Sequence, residues 1–271
     1  MSSFDTAAFA SCIGWSALAV AGVLLGTFVC AKIAGRHNVI DTGWGLLFVA
    51  VAVVTFFVSS GHGDPLRRWL LLVLPVLWGL RLAQHVGRRS LGKGEDPRYD
   101  DLLAKAKGNR DLYALRMVYL LQGVLALIIS APIMVGAFES DPVRVVAWVG
   151  VAVWLVGVFF EAVGDAQMER FRRDPANKGA VIDSGLWRYT RHPNYFGDAC
   201  VWWGLFLLAA WTWPGWVFVL SPVLMTWTLA KGTGAPLTEK RMSGTRRGFA
   251  EYVERTSGFV PLPPRRRPIG G

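Results

Sequence analysis

Seven runs of apolar residues crowd a chain of only 271 residues, and no other feature restricts its fold as strongly. A helix needs roughly 20 mostly apolar residues to cross about 30 Å of hydrocarbon. Residues 13–34, 44–59, 69–83, 118–138, 145–163, 199–213 and 216–231 come near that requirement. The third and sixth runs are short, and polar turns at their ends would have to extend them. Charged residues make up 18% of the chain, against about a quarter in an average soluble domain, and they cluster between the runs. A soluble core would have to bury seven helices that are apolar on every side. The reading is therefore all-α: an integral membrane bundle of about seven transmembrane helices. It forms a single membrane domain over 1–271, with insertions near 84–117 and 166–198 and a tail at 232–271.

Lys and Arg collect in cytoplasmic loops, which orients such a bundle. The N-terminal segment before residue 13 carries only Asp5. Eight basic residues lie between the third and fourth runs, from Arg88 to Arg116. Six more follow the fifth run, from Arg170 to Arg191, and the tail ends in a basic run at 265–267. Seven spans place all of these on one side, with the N-terminus outside and the C-terminus cytoplasmic. "DPLRR" at 64–68 is the exception. The net charge of +10 then reflects topology and attraction to anionic headgroups, with no nucleic acid as partner. Cys12, Cys30 and Cys200 sit in or beside the runs without metal-ligand spacing, so no metal is expected. The first run also lacks a basic flank and a small-residue cleavage site, so no cleavable leader is expected.

One stretch does not suit lipid. "LWRYTRHPNYFGD", residues 186–198, packs Arg188, Arg191, His192 and Asp198 against the sixth run. Charged groups at that depth usually face a cavity or one another. Pro193 fixes a turn into the next helix, and a helix beginning near Asn194 would turn its free N–H groups toward an anion. Asp165, Arg170, Arg172 and Arg173 stand where the fifth run ends; Glu239, Lys240, Tyr252 and Arg255 follow the seventh. Arginine forks match phosphate oxygens in pairs. Three separated segments could thus meet in one pocket for a phosphate-bearing molecule. The alternative is a basic rim that touches headgroups only. Within the tail, 245–256 has Phe249, Tyr252 and Val253 on one helical face.

The stretch "GLWRYTRHPNYFGD" resembles the signature of the integral-membrane steroid 5-alpha-reductase and sterol C14-reductase superfamily. "WGLRLAQHVGRRSLGKGEDPRYDDL" and "ERTSGFVPLPP" resemble its bacterial DUF1295-type branch. The resemblance implies a bundle that holds NADPH in a pocket open to the cytoplasm and delivers hydride to a carbon–carbon double bond of a lipid within the bilayer. Asn194, Tyr195 and Asp198 match cofactor-contacting positions of the signature. Asp165 and Arg172 match positions on the preceding helix, and Arg255 matches a tail arginine. Arg191 and His192 match the sterol-reductase form of the motif, and Tyr252 lies on the same tail helix as Arg255. For proton delivery the family uses a tyrosine and an acidic or amide residue. This chain has Trp78 where that tyrosine aligns, which leaves Asp41, His85 and Tyr119 as candidates. Asp41 has a second reading as a helix N-cap. Two other functions fit the pattern less closely: an S-adenosylmethionine-dependent membrane methyltransferase, and a non-catalytic lipid-binding protein. A bacterial inner membrane suits the basic-inside pattern.

Overall fold

The computed structural model describes residues 4–210 and 213–265, and those residues are helical throughout apart from turns and loops. Residues 211 and 212 of the sixth apolar run, and Arg266 and Arg267 of the basic tail, lie outside the described residues. In chain order the helices are α1 (Thr6–Ala34), α2 (Val39–Val58), α3 (Pro65–Ser90), α4 (Pro97–Leu103), α5 (Arg110–Gly136), α6 (Val145–Arg173), α7 (Pro193–Ala209), α8 (Leu220–Ala230), α9 (Ala235–Ser243) and α10 (Phe249–Arg255). Five of them, α1, α2, α3, α5 and α6, are long and apolar enough to cross a membrane. The short third run is extended at both ends as polar turns allow: α3 has 26 residues. α7 has 17, and α8 has 11 after a 3₁₀ turn at Gly215–Val219. In the tail, the helix expected over 245–256 begins only at Phe249, because Gly248 takes a left-handed conformation with φ 73°.

Contacts divide the chain into two units. The first holds residues up to Trp148 together with Leu205–Ser221; the second holds Val149–Gly204 and the chain from Pro222 onward.

In the first unit, α2 lies against α3 at a point where neither helix has a side chain. A Cβ on Gly45 would stand 2.3 Å from the Gly79 carbonyl oxygen. Small residues let membrane helices approach this closely, so dispersion replaces the missing hydrophobic drive. Around that crossing Leu47, Phe48, Val51, Leu71 and Trp78 are buried. The exceptional "DPLRR" loop has a structural explanation here. Asp64 caps α3 by accepting from the Arg67 N–H at 2.8 Å, and Pro65 occupies the first helical position. Arg67 is 1% exposed, and its Nη1 donates to the Glu139 carbonyl at 2.9 Å. Arg68 donates to the Phe56 carbonyl at 2.6 Å and to Ser59 Oγ at 2.9 Å. Both arginines are spent on acceptors at helix ends within the protein, so their charge says nothing about orientation.

In the second unit, α6 and α7 cross through glycines spaced by seven residues. A Cβ on Gly157 would lie 2.5 Å from the Gly197 oxygen and 2.7 Å from the Val201 nitrogen. A Cβ on Gly204 would lie 2.6 Å from the Gly150 oxygen. Nearer the end of α6, Gly164 faces Pro193 and the Asn194 nitrogen. Neither helix can carry a larger residue at these positions without moving apart. Gly197→Ala should therefore lower thermal stability in detergent by about 1–3 kcal/mol through overpacking. Gly14→Ala, where a Cβ meets nothing within 4 Å, should be neutral or slightly stabilising. Thermal unfolding of the two variants beside the parent checks the contrast.

Candidate functional site

The motif segment of the second unit is pinned to α6 before α7 begins. A 3₁₀ turn at Gly185–Arg188 swings Trp187 inward, where its indole N–H donates to the Gly164 carbonyl at 3.0 Å. The Leu186 N–H donates to Gln167 Oε1 at 2.9 Å. The next residues are laced to the tail. Thr190 and Ser257 form a parallel bridge, the Arg191 N–H donates to the Ser257 carbonyl at 2.9 Å, and Thr190 Oγ1 donates to the Phe259 carbonyl at 2.7 Å. Tyr252 of α10 is buried, and its hydroxyl donates to the Trp187 carbonyl at 2.6 Å. Burial pushes that phenol above its ordinary range, so it remains a donor.

Glu239 of α9 is the electrostatic centre. Its Oε1 accepts from Arg191 Nε at 2.8 Å and from His192 Nε2 at 2.9 Å, and its Oε2 accepts from Arg191 Nη2 at 3.3 Å. Arg191 Nη1 donates to the Thr256 carbonyl at 2.7 Å and the Val253 carbonyl at 3.3 Å. The His192 ring stacks on Tyr195 with centroids 5.2 Å apart and planes 8° apart. The Tyr195 hydroxyl lies 3.3 Å from Thr238 Oγ1. Arg191 and His192 thus tie α7, α9 and α10 together. Burial alone would raise the Glu239 carboxyl, but the hydrogen bonds and charge of His192 and Arg191 outweigh it and draw it down to about 2.

Arg255 pairs with Asp183, both half-exposed, and borders a cavity of about 280 Å³. Arg191, Thr256, Ser257, Gly258, Leu262 and Arg265 are among its walls. Asn194 and Asp198 stand one helical turn apart on α7, and Asn194 Oδ1 accepts from the Tyr195 N–H at 3.1 Å. Asp165 is half-buried on α6, beside the Gly164 that meets Asn194; Arg172 is exposed two turns further on. Glu239 was visible in the sequence only as one of several polar residues after the seventh run. Trp187, Gln167, Thr238 and Ser257 had no sequence signal as partners.

The first unit has its own polar cluster. Asp41 is not the cap of α2. It lies in the first turn, where Oδ1 accepts from the Tyr99 hydroxyl at 2.5 Å and Oδ2 from Arg98 Nη2 at 3.1 Å. Glu95 instead braces the chain just before α2, accepting from the His37 and Asn38 N–H groups at 2.5 and 2.9 Å. Burial, then the charge of Asp41, raises the Tyr99 phenol far above its ordinary range. Tyr119 is fully buried, with its hydroxyl 3.3 Å from His37 Nδ1. His85 is half-buried on α3, and Trp78 packs edge-on to Phe48.

A carboxyl with a depressed pKa stabilises the fold fully above its unfolded value of 4.5 and loses that contribution as pH falls through about 2. Glu239→Gln should therefore be less stable than the parent near neutral pH, by up to about 3 kcal/mol. The difference should shrink below pH 4.5 and vanish near pH 2, as read from unfolding curves at stepped pH.

Comparison with known proteins places the chain in a family. A family model described as a protein of unknown function, DUF1295, matches residues 27–256. The 3-oxo-5-alpha-steroid 4-dehydrogenase 1 of Rattus norvegicus is 34% identical over 82 residues, 30% of this chain and 31% of the relative. The Bos taurus protein of the same name is 29% identical over 82 residues, 30% of this chain and 32% of the relative. The match thus takes in about a third of the length of these relatives. An uncharacterized protein of Schizosaccharomyces pombe is 22% identical across 88% of this chain and 76% of its own. No solved structure matches significantly. The chain belongs to the DUF1295 family, within the steroid 5-alpha-reductase superfamily.

Proposed function

We propose that this chain is an NADPH-dependent membrane reductase that saturates a carbon–carbon double bond of a steroid-like, isoprenoid or unsaturated acyl lipid drawn from the bilayer. The observation that carries the reading is the gathering of 183–198, 238–239 and 252–265 around Glu239, beside a cavity bordered by Arg191, Arg255 and Arg265. The steroid dehydrogenase names of the partial relatives point to the same chemistry.

The residues fit a phosphate-bearing cofactor, with the work divided between them. Arg191 is already satisfied by Glu239 and two carbonyls, so it holds the wall. Among the described residues, the Arg255 side chain is held by an exposed pair with Asp183. Such a pair is worth about 0–1 kcal/mol, and a phosphate dianion can take its place. Arg265 lies on the same cavity. Asn194 and Asp198, with Asp165 and Arg172, supply further polar contacts, and NADPH when bound supplies hydride. In the first unit, Asp41, already hydrogen-bonded to Tyr99, and Tyr119 are assigned to proton delivery. The topology is seven spans, α7 and the stretch ending in α8 being the sixth and seventh. The N-terminus lies outside, and the cofactor pocket faces the cytoplasm of a bacterial inner membrane. The basic loops that follow α3 and α6 support that orientation and rest on anionic headgroups.

The test is nucleotide titration of the detergent-purified chain. NADPH should bind at micromolar Kd or tighter and in preference to NADH; no NADPH binding together with clear S-adenosylmethionine binding would overturn the assignment. Asn194→Ala and Asp198→Ala should each weaken NADPH binding by roughly 10-fold or more while membrane insertion persists. Asp41→Asn should slow reduction of the 3-oxo-4-ene steroid androst-4-ene-3,17-dione with NADPH affinity unchanged.

A further inference from the structure

We propose that Asp183 competes with the ribose phosphate of NADPH for Arg255, and so sets how tightly the second unit holds NADPH relative to NADH. The inference rests on the reductase reading and adds to it a residue that tunes the choice of cofactor. All of the groups concerned lie between Asp183 and Arg265, within that unit.

The backbone of the cavity is fixed, while part of its charge is exchangeable. The tail hangs on the motif at three points. The Ser257 carbonyl accepts from the Arg191 N–H at 2.9 Å, the Phe259 carbonyl accepts from Thr190 Oγ1 at 2.7 Å, and the Leu262 N–H donates to the Tyr189 carbonyl at 3.0 Å. The Arg265 N–H then returns to the Arg255 carbonyl at 2.9 Å and closes the loop on itself. Gly258 lies against the Arg191 guanidinium, where a Cβ would stand 3.1 Å from Nη2. This closure sets Arg255 and Arg265 on one cavity of about 280 Å³. Pockets for whole drug-sized ligands run to roughly 300–1,000 Å³, so this one takes one end of a dinucleotide.

NADPH and NADH differ at that kind of end. One carries a phosphomonoester on the adenosine ribose where the other has a hydroxyl. In dinucleotide sites of other folds an arginine receives the phosphate and a carboxylate the hydroxyl. Here the two residue types are joined: Asp183 Oδ2 accepts from Arg255 Nη2, with side chains 52% and 43% exposed. Glu239 is committed to Arg191 and His192, whereas Asp183 is the carboxylate on Arg255. A phosphomonoester carries close to two charges at neutral pH and takes the guanidinium fork in a bidentate grip. It therefore displaces a singly charged carboxylate, and the displaced Asp183 then repels it at short range. The ribose hydroxyl of NADH brings no charge and leaves the pair closed. Asp183 is thus a specificity residue that loosens NADPH and leaves NADH alone.

The experiment is titration of the full detergent-purified chain with NADPH, NADH, 2′,5′-ADP and 5′-AMP; the last two differ by the ribose phosphate alone. Asp183→Asn should bind NADPH and 2′,5′-ADP about 3–10-fold more tightly than the parent, and NADH and 5′-AMP within about twofold. Asp183→Ser should give the same shift, since the charge is what matters. In an Arg255→Gln background, which itself should weaken NADPH about 10-fold, Asp183→Asn should change nothing. Glu169→Gln breaks another exposed pair, with Arg173 on α6, and alters the net charge equally. It should leave all four affinities within about twofold. Weaker NADPH binding in both Asp183 variants would make the residue a tie for the tail and overturn the competition. Equal tightening of NADH, or of NADPH in Glu169→Gln, would overturn it as well, by showing a general charge effect. Parent binding of NADPH with indifferent Asp183 variants would sink the competition and keep the reductase reading. Failure of the parent to bind NADPH would remove that reading and the competition with it.

Discussion

Hydrocarbon offers a polar atom nothing to bond with, and that single constraint organises this molecule. Each charged group beside an apolar helix must find its partner inside the protein or stay at the water boundary. Arg67 and Arg68 find carbonyls at helix ends. Arg191 and His192 find Glu239, and Asp41 finds Tyr99 and Arg98. The partnered groups are structural connections as well as chemistry, since each joins elements distant in sequence. Removing one partner of a buried charge pair costs about 3–5 kcal/mol, far more than the intact pair contributes.

The arginines of the second unit show how exposure separates two duties. Arg191 makes five hydrogen-bonding contacts, two of them through the fork that matches a carboxylate. A ligand would have to displace the four guanidinium contacts to claim it. Arg255 makes one exposed pair and can exchange it at little cost. In the proposed cofactor reading, the same residue type builds the wall at one position and offers charge to a ligand at the other. The two sequence stretches that carry them, 186–198 and 254–264, do not mark the difference.

The helices were legible because their apolar runs are long: α1, α2, α3, α5 and α6 follow the runs, with polar turns added at the ends. The motif's position at the start of α7 was legible too, from Pro193 and the polar residues beside it. The pairings were not. Arg191 and Glu239 are 48 residues apart, Tyr252 and Trp187 are 65 apart, and His37 and Tyr119 are 82 apart. A single glutamate in "LTEKR" looks like any solvated charge until the fold brings it under Arg191. The Asp41 cap was a fair inference from local spacing, yet α2 begins before Asp41, at Val39. Glu95, 57 residues from Asn38, holds the N–H groups just ahead of it, and Asp41 is left to Tyr99.

The glycine spacing explains why the polar residues of the second unit meet where they do. Seven residues are nearly two helical turns, about 10.5 Å of rise, so Gly150, Gly157 and Gly164 form one stripe along α6. Antiparallel to it on α7 stand Gly204, Gly197 and Pro193, and the contacts pair them in that order. The register is set by backbone approach at Gly157 and Gly197, where one extra methyl group would clash with a carbonyl. Sliding α7 by one turn would break every one of these approaches at once. With the register held, the last pair puts Pro193 and the Asn194 nitrogen against Gly164, next to Asp165 and under the Trp187 indole that the Gly164 carbonyl accepts. The motif's polar face is aimed by a seam of close backbone approaches, with the buried Glu161 side chain beside Gly197.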